Sequence, residues 1–281
     1  MKYIKLNNNV EMPSIGIGTF LLKPIDAEKS VSIALNNGYR LIDTANFYGN
    51  EKAVGRAIRN SGVPREEIFV SSKIWPNEYN NEFSVEETLN RLGLDYLDLL
   101  FLHQPTGDIL KGYKQLEKAY KEGKIRAIGL SNFEDKFLDK ILKEAEIKPQ
   151  IMQLECNPFF PQDKFRSRLD DLGIVIMSWY PLGGKGHTKE LLNNEIIVSL
   201  ANKYNKAPAQ IILRWHIQMG FSVIPGSKNE KHIKDNIDLF DFELSDEDMN
   251  EIAKINNGKK RFKFNFLTLL AMRLIKPRYE K

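Results

Sequence analysis

Several polar side chains stand where apolar strands would be expected simply to end. In Arg40-Leu41-Ile42-Asp43 a short apolar run closes on a carboxylate, and a phenol, Tyr48, follows five residues later. The run Val70-Ser71-Ser72-Lys73 closes on a lysine and Leu99-Leu100-Phe101-Leu102-His103 on a histidine. Singly, each has a plainer reading: Asp43 as a helix cap or structural ion pair, Tyr48 as a rim aromatic, Lys73 as a solvated strand end, His103 as a satisfied core histidine. At the same end of consecutive strands, the four suit one chemistry. Tyrosine is a poor acid at neutral pH, with an ordinary pKa of about 10. A lysine cation beside it stabilises the phenolate and lowers that value, and a buried carboxylate holds the lysine in place. A histidine next to the phenol can orient a carbonyl oxygen. The set predicts a proton donor for a developing alkoxide. It contains no nucleophile with an adjacent base. His187, His216 and His232 have no ligand spacing such as H-x-x-x-H, so no metal site is predicted. A group that only gives a proton to a carbonyl needs a hydride donor beside it, which points to a nicotinamide cofactor.

The elements that must position these residues recur along the chain. Residues 3–13 read as a hairpin around Asn7-Asn8-Asn9. Eight apolar runs follow, at 15–19, 41–44, 68–74, 96–103, 125–131, 150–157, 174–180 and 221–225. Several are continuous rather than alternating, as in strands covered on both faces. Between them lie helical patterns at 26–37, 51–60, 84–92, 109–122, 134–144, 163–172 and 229–239, and a stretch at 194–219 that splits near Ala207-Pro208. Ser84-Val85-Glu86-Glu87 reads as a capping box. Eight strands with intervening helices predict an α/β fold, a closed (β/α)8 TIM barrel, whose functional residues sit at the C-terminal strand ends. The doubly wound alternative wants G-x-G-x-x-G after its first strand, and Gly16-Ile17-Gly18 continues Thr19-Phe20-Leu21 without a third glycine.

The chain has 281 residues, is 42% hydrophobic and 28% charged, and carries one cysteine, Cys156, which has no partner for an internal disulfide. That fits a reducing compartment, and with no signal-peptide pattern at the N-terminus and no bilayer-length apolar run a cytoplasmic location is expected. The net charge of +4 hides an asymmetry: residues 259–281 hold eight Lys or Arg and one Glu, a net of +7, leaving −3 on residues 1–258. A mildly acidic body argues against general nucleic-acid binding.

From about residue 3 to 255 the sequence resembles the aldo-keto reductases. Asp43-Thr44-Ala45-x-x-Tyr48-Gly49-Asn50-Glu51 is similar to the family's signature around its acid and tyrosine, Lys73-Ile74-Trp75 to its lysine motif and Leu102-His103 to its histidine motif. The resemblance implies a (β/α)8 barrel in which Tyr48 is the general acid, assisted by Asp43, Lys73 and His103. It implies that Ser131, Asn132 and Gln153 hold the carboxamide of NADPH, and that Trp179, where many members have tyrosine, stacks on the nicotinamide. Thr19, Leu182 and Gly183 join the cofactor site, with the Gly183-Gly184 loop over the pyrophosphate. Ser227, Lys228, Asn229, His232, Asp235 and Asn236 correspond to the adenosine-phosphate end. Gly226 and His232 depart from a Lys and an Arg there, so weakened discrimination against NADH is expected. Phe20, Trp75 and Gln104 would line the substrate pocket; Gln104 replaces a tryptophan common among relatives, which suggests a wider or more polar pocket.

These residues predict an NADP(H)-dependent carbonyl reductase acting on a small molecule, expected as a monomer. The alternative is a non-catalytic nicotinamide-binding or structural or regulatory protein on the same barrel. Residues 1–258 form the expected reductase domain. Residues 259–281 form a basic, apolar tail expected to pack at the substrate pocket, with membrane association as the lesser reading.

Overall fold

The computed structural model describes residues 1–184 and 186–280. An antiparallel hairpin of β1 (Tyr3–Lys5) and β2 (Glu11–Pro13) turns through Asn7-Asn8-Asn9. Eight parallel strands follow: β3 (Ile17–Gly18), β4 (Leu41–Asp43), β5 (Phe69–Ile74), β6 (Leu99–Leu102), β7 (Ile128–Ser131), β8 (Ile151–Glu155), β9 (Val175–Trp179) and β10 (Ser222–Val223). Each pairs with its sequence neighbours. The ring closes where Ile15 bridges Val223, with the Gly16 amide donating to the Val223 carbonyl at 2.8 Å and the Val223 amide to that of Ser14 at 3.0 Å. This is the eight-stranded barrel that the alternating runs predict. The corresponding helices begin and end within two residues of the predicted ones, including the split, which falls between Glu195–Tyr204 and Pro208–Gln218.

Strand parity explains which side chains reach the barrel interior, because successive residues point to opposite faces. Leu41, Phe69, Leu99, Phe101, Ile151 and Met177 fill the interior, plugged from the hairpin end by Leu6 and Met12. Ile42, Val70, Leu100, Leu102, Ile128 and Leu154, of the other parity, pack outward against the helices. Asp43, Lys73, His103, Ser131, Gln153 and Trp179 all share the inward parity. Gly129 is needed here: a Cβ would come within 2.3 Å of the Phe101 ring, which occupies the barrel axis.

Two features differ from expectation. Ser84 is not a cap but the first residue of the helix Ser84–Leu92; Phe83 stands at the N-cap, and the Ser84 hydroxyl is turned to donate to Gln115 Oε1 at 3.1 Å. Three further helices, Thr188–Leu192, Asp246–Ala253 and Phe266–Leu274, had no counterpart in the sequence reading. No helix among the described residues is long and apolar enough to cross a membrane.

Candidate active site

At the C-terminal ends of the barrel strands lies a cavity of about 900 Å3. Its floor is built from the inward-parity residues. Asp43 is 1% exposed, and its two oxygens divide the work. Oδ1 accepts from Ser71 Oγ at 2.8 Å and Gln153 Nε2 at 3.2 Å, while Oδ2 accepts from Lys73 Nζ at 2.5 Å. Lys73, fully buried, gives a second hydrogen bond to the Thr44 carbonyl at 2.8 Å, and its ammonium lies 5.0 Å from the centroid of the Tyr48 ring. Tyr48 sits on a short 3-10 turn, Asn46–Tyr48, closed by Gly49 in the left-handed region. The turn is pinned by Asn46 Oδ1, which accepts the Trp75 amide at 3.0 Å. The Tyr48 and His103 rings meet edge-on with centroids 5.6 Å apart.

The electrostatics differ in one respect from the sequence expectation. Burial first, then the Asp43 charge, then Tyr180, raises the Tyr48 phenol well above its ordinary value. Burial also lowers Lys73, with Asp43 opposing that shift. Burial, and then Lys73, pushes His103 well below the usual imidazole range. The phenol therefore holds its proton and the imidazole is neutral near pH 7. His103 Nδ1 is buried with no hydrogen-bond partner among the described residues. A buried N–H without an acceptor is costly, so the imidazole hydrogen belongs on Nε2.

A second polar chain runs along one wall. Trp179 Nε1 donates to Asn132 Oδ1 at 3.1 Å, and Asn132 Nδ2 donates to Gln104 Oε1 at 3.2 Å and to Ser131 Oγ at 3.3 Å. Asn132 adopts φ +64°, a backbone conformation asparagine tolerates better than most residues, which turns its amide back to the cavity. Phe20, Trp75, Gln104, Ser131, Asn132, Gln153, Trp179 and Leu182 line the cavity, and at its far end so do Gly226, Ser227, His232, Asp235 and Asn236.

Other candidates lie off the wall. Lys73 is behind it, under Tyr48. Thr19 is fully buried, and its hydroxyl donates to the Asp43 carbonyl at 3.1 Å. Gly183 is not a lining residue, whereas Gly184 is. Lys228 is exposed and is not among the lining residues; Lys231, the second residue of the helix Glu230–Ile237, lines the cavity instead. Asn229 caps that helix, its side chain accepting from the Lys231 and His232 amides. Gly226 has a local reason: a Cβ there would stand 2.9 Å from the Gly18 carbonyl oxygen.

The sequence reading missed part of the lining. Phe47 stacks on Trp75 with centroids 3.8 Å apart, and Tyr180 packs on Phe262 at 5.0 Å. Phe262, Phe264 and Met272 reach the cavity from the C-terminal segment. Glu155, fully buried at the end of β8, anchors that segment by accepting the Arg261 amide at 3.0 Å and the Phe262 amide at 2.9 Å. Trp75 Nε1 donates to the carbonyls of Met272 at 2.9 Å and Ile275 at 3.0 Å. Glu155 carried a usable signal, an acid closing an apolar run as Asp43 does.

A second cleft, of about 600 Å3, lies at the opposite, hairpin end. Its one buried carboxylate, Asp98, is already paired with Arg65 at 2.9 Å and Arg126 at 2.7 Å, so it offers no free reactive group.

Comparison with known proteins agrees with the geometry. The model of the Aldo/keto reductase family matches residues 14–257. A glyoxal reductase of Bacillus subtilis is 46% identical over 262 residues, spanning 92% of this chain and 94% of its own. A morphine 6-dehydrogenase of Pseudomonas putida is 40% identical, with 91% of each chain covered. Among solved structures, an aldo-keto reductase from a deep-sea metagenome library superposes with a TM-score of 0.90 at 41% identity, covering 93% of this chain and 97% of that one. A buried Asp43–Lys73 pair beneath a tyrosine and a histidine, on a barrel of this topology and with these relatives, makes the chain a member of the aldo/keto reductase family, an oxidoreductase on a (β/α)8 barrel.

Proposed function

We propose that this chain reduces small aldehydes or ketones with NADPH, and that Tyr48 gives the proton. One observation carries the reading: the Tyr48 phenol and the neutral His103, backed by the buried Lys73–Asp43 pair, meet at the floor of a cavity of about 900 Å3. A bound nicotinamide supplies the hydride that reaches the carbonyl carbon.

The remaining work falls to the protein. Nε2 of His103 donates to the carbonyl oxygen and holds it beside Tyr48. The phenol gives up its proton as negative charge develops on that oxygen. The Lys73 cation then stabilises the phenolate, at a distance where low dielectric keeps its field strong. Asp43 keeps Lys73 charged and fixed. Ser131, Asn132 and Gln153 have amide and hydroxyl groups suited to a carboxamide, and the half-buried face of Trp179 suits a flat ring. Those residues fit the cofactor. At the other end, Lys231 and His232 beside the capped helix N-terminus would hold a ribose phosphate.

Lys231 is already engaged, with Nζ 2.6 Å from Asp235 Oδ2, and Gly226 offers no side chain. We therefore expect NADPH to be used with modest preference over NADH. The apolar walls, Phe20, Phe47, Trp75, Phe262 and Phe264, with few polar groups, suit small aldehydes and α-dicarbonyls, and the glyoxal reductase relative supports that class. The described part of the tail, residues 259–280, is read as part of this pocket because Phe262, Phe264 and Met272 form its outer wall; Lys281 lies outside the described residues.

Titration of the purified protein with NADPH and NADH, followed by Trp179 fluorescence and then by turnover of a small dialdehyde, tests the reading. Tight binding of NADPH, a ratio over NADH well below several hundredfold, and turnover are expected. A folded protein that binds neither nucleotide would refute it.

A further inference from the structure

The C-terminal helix Phe266–Leu274 has two faces with opposite tasks. Its inner face turns Met272 to the cavity, and the Leu269 carbonyl accepts from Thr106 Oγ1 at 3.2 Å. Its outer face is apolar and bare: Leu267 is 71% exposed, Leu270 41% and Leu274 77%, with Ala271 exposed between them and Ile275, 47% exposed, just beyond. Positions i, i+3, i+4 and i+7 form one continuous stripe. A stripe of this kind on the outside of a protein marks a surface that meets something.

Charge indicates what it meets. Lys263 precedes the helix, Arg273 lies at the flank of the stripe, and Lys276 and Arg278 follow it; all four are exposed. None has a carboxylate within ion-pair distance among the described residues. The basic residues that do pair in this segment, Lys260 with Glu134 and Arg261 with Glu190, instead tie its start to the barrel. The far end is tied by Glu280 to Arg56 at 2.8 Å and by Tyr279 under Arg91 at 4.3 Å. The helix is thus held across the mouth at both ends with its leucines outward and unpaired cations around them.

We propose that this outer face docks the protein on an anionic lipid surface, leucines in the headgroup–acyl boundary and Lys263, Arg273, Lys276 and Arg278 on the acidic headgroups. The combination of an apolar stripe and flanking cations is that of an interfacial helix. A second copy of the chain is a poorer occupant, since it would set one +7 segment against another. The docking does not depend on the reaction proposed above.

The test is flotation of the full-length protein with vesicles of phosphatidylglycerol mixed with phosphatidylcholine, and with phosphatidylcholine alone. Binding is expected to the mixed vesicles only, and to fall as salt is raised. Leu270→Asp with Leu274→Asp, both outside the cavity, should reduce partitioning by more than about tenfold. Lys276→Gln should reduce it by about fivefold, with far-UV circular dichroism confirming that each variant stays folded. No preference for the anionic vesicles, or binding unchanged by the leucine variants, overturns the proposal. So does a solution dimer, seen by light scattering, that the leucine variants dissolve.

Discussion

Asparagine at position 43 is the most informative single change to the floor of the cavity. Oδ1 of Asp43 serves Ser71 and Gln153, and Oδ2 serves Lys73. An asparagine that keeps its oxygen on the Ser71 and Gln153 side sets its NH2 against the Lys73 ammonium, where 2.5 Å now separates acceptor from donor. Flipped, it satisfies Lys73 and points NH2 at the Gln153 amide. Either way two donors face each other at almost fully buried side chains, and a buried cation loses its counter-ion. Breaking a buried pair from one side costs about 3–5 kcal/mol, a large part of the roughly 5–15 kcal/mol that holds a domain folded. Lys73, already lowered by burial, can lose its proton, and that caps the cost. Urea unfolding of Asp43→Asn, followed by fluorescence, should therefore show a midpoint well below wild type at unchanged slope. Adding Lys73→Met removes the stranded cation, so the double variant should be more stable than Asp43→Asn by about 1–3 kcal/mol. A single variant within about 1 kcal/mol of wild type, or strictly additive effects, would refute the pair as the electrostatic centre of the site.

Other perturbations follow from the same contacts. Burial lowers buried His216 to about 4, so the unfolded chain takes up a proton that the folded one refuses. Its contribution is complete above the unfolded value of about 6.5 and is lost as pH falls toward 4, a loss on the order of 3 kcal/mol. His103 acts in the same direction. Stability measured between pH 4 and 7 should fall on acidification, and less steeply in His216→Gln. Glu155→Gln weakens the two hydrogen bonds to the Arg261 and Phe262 amides, so hydrogen exchange at 259–264 should quicken and KM should rise more than kcat falls. Trp75→Phe removes the indole donor to the Met272 and Ile275 carbonyls, at about 1 kcal/mol, and should expose the C-terminal helix to limited proteolysis while the barrel stays intact.

Much of this arrangement was legible in the sequence because it follows from parity. Asp43, Lys73 and His103 stand out as polar residues closing apolar runs, and in a barrel such positions alternate between interior and helix-facing sides. Leu41, Phe69 and Phe101, an even number of residues earlier, fix that alternation, so the set converges without fine geometry. What escaped depends on contacts across long separations. Phe262, Phe264 and Met272 join the cavity only because the buried Glu155 and the Trp75 indole fold the chain end back over the mouth. Lys231 displaces Lys228 at the cavity because Asn229 caps the helix and sets its phase. The capping-box pattern at Ser84 failed because Gln115, on another helix, competes for the hydroxyl. The burial that raises the Tyr48 phenol in the resting site is invisible in a motif.

The central claim is that Tyr48 delivers the proton. Turnover of a small aldehyde with NADPH by Tyr48→Phe, set beside nucleotide affinity of the same variant, tests it directly. The phenyl ring keeps the packing against His103 and Phe20 and loses only the proton. A fall in kcat of about 10²–10⁴-fold, the usual share of general acid catalysis, is expected, with NADPH affinity little changed. Turnover retained within a few-fold of wild type would contradict it.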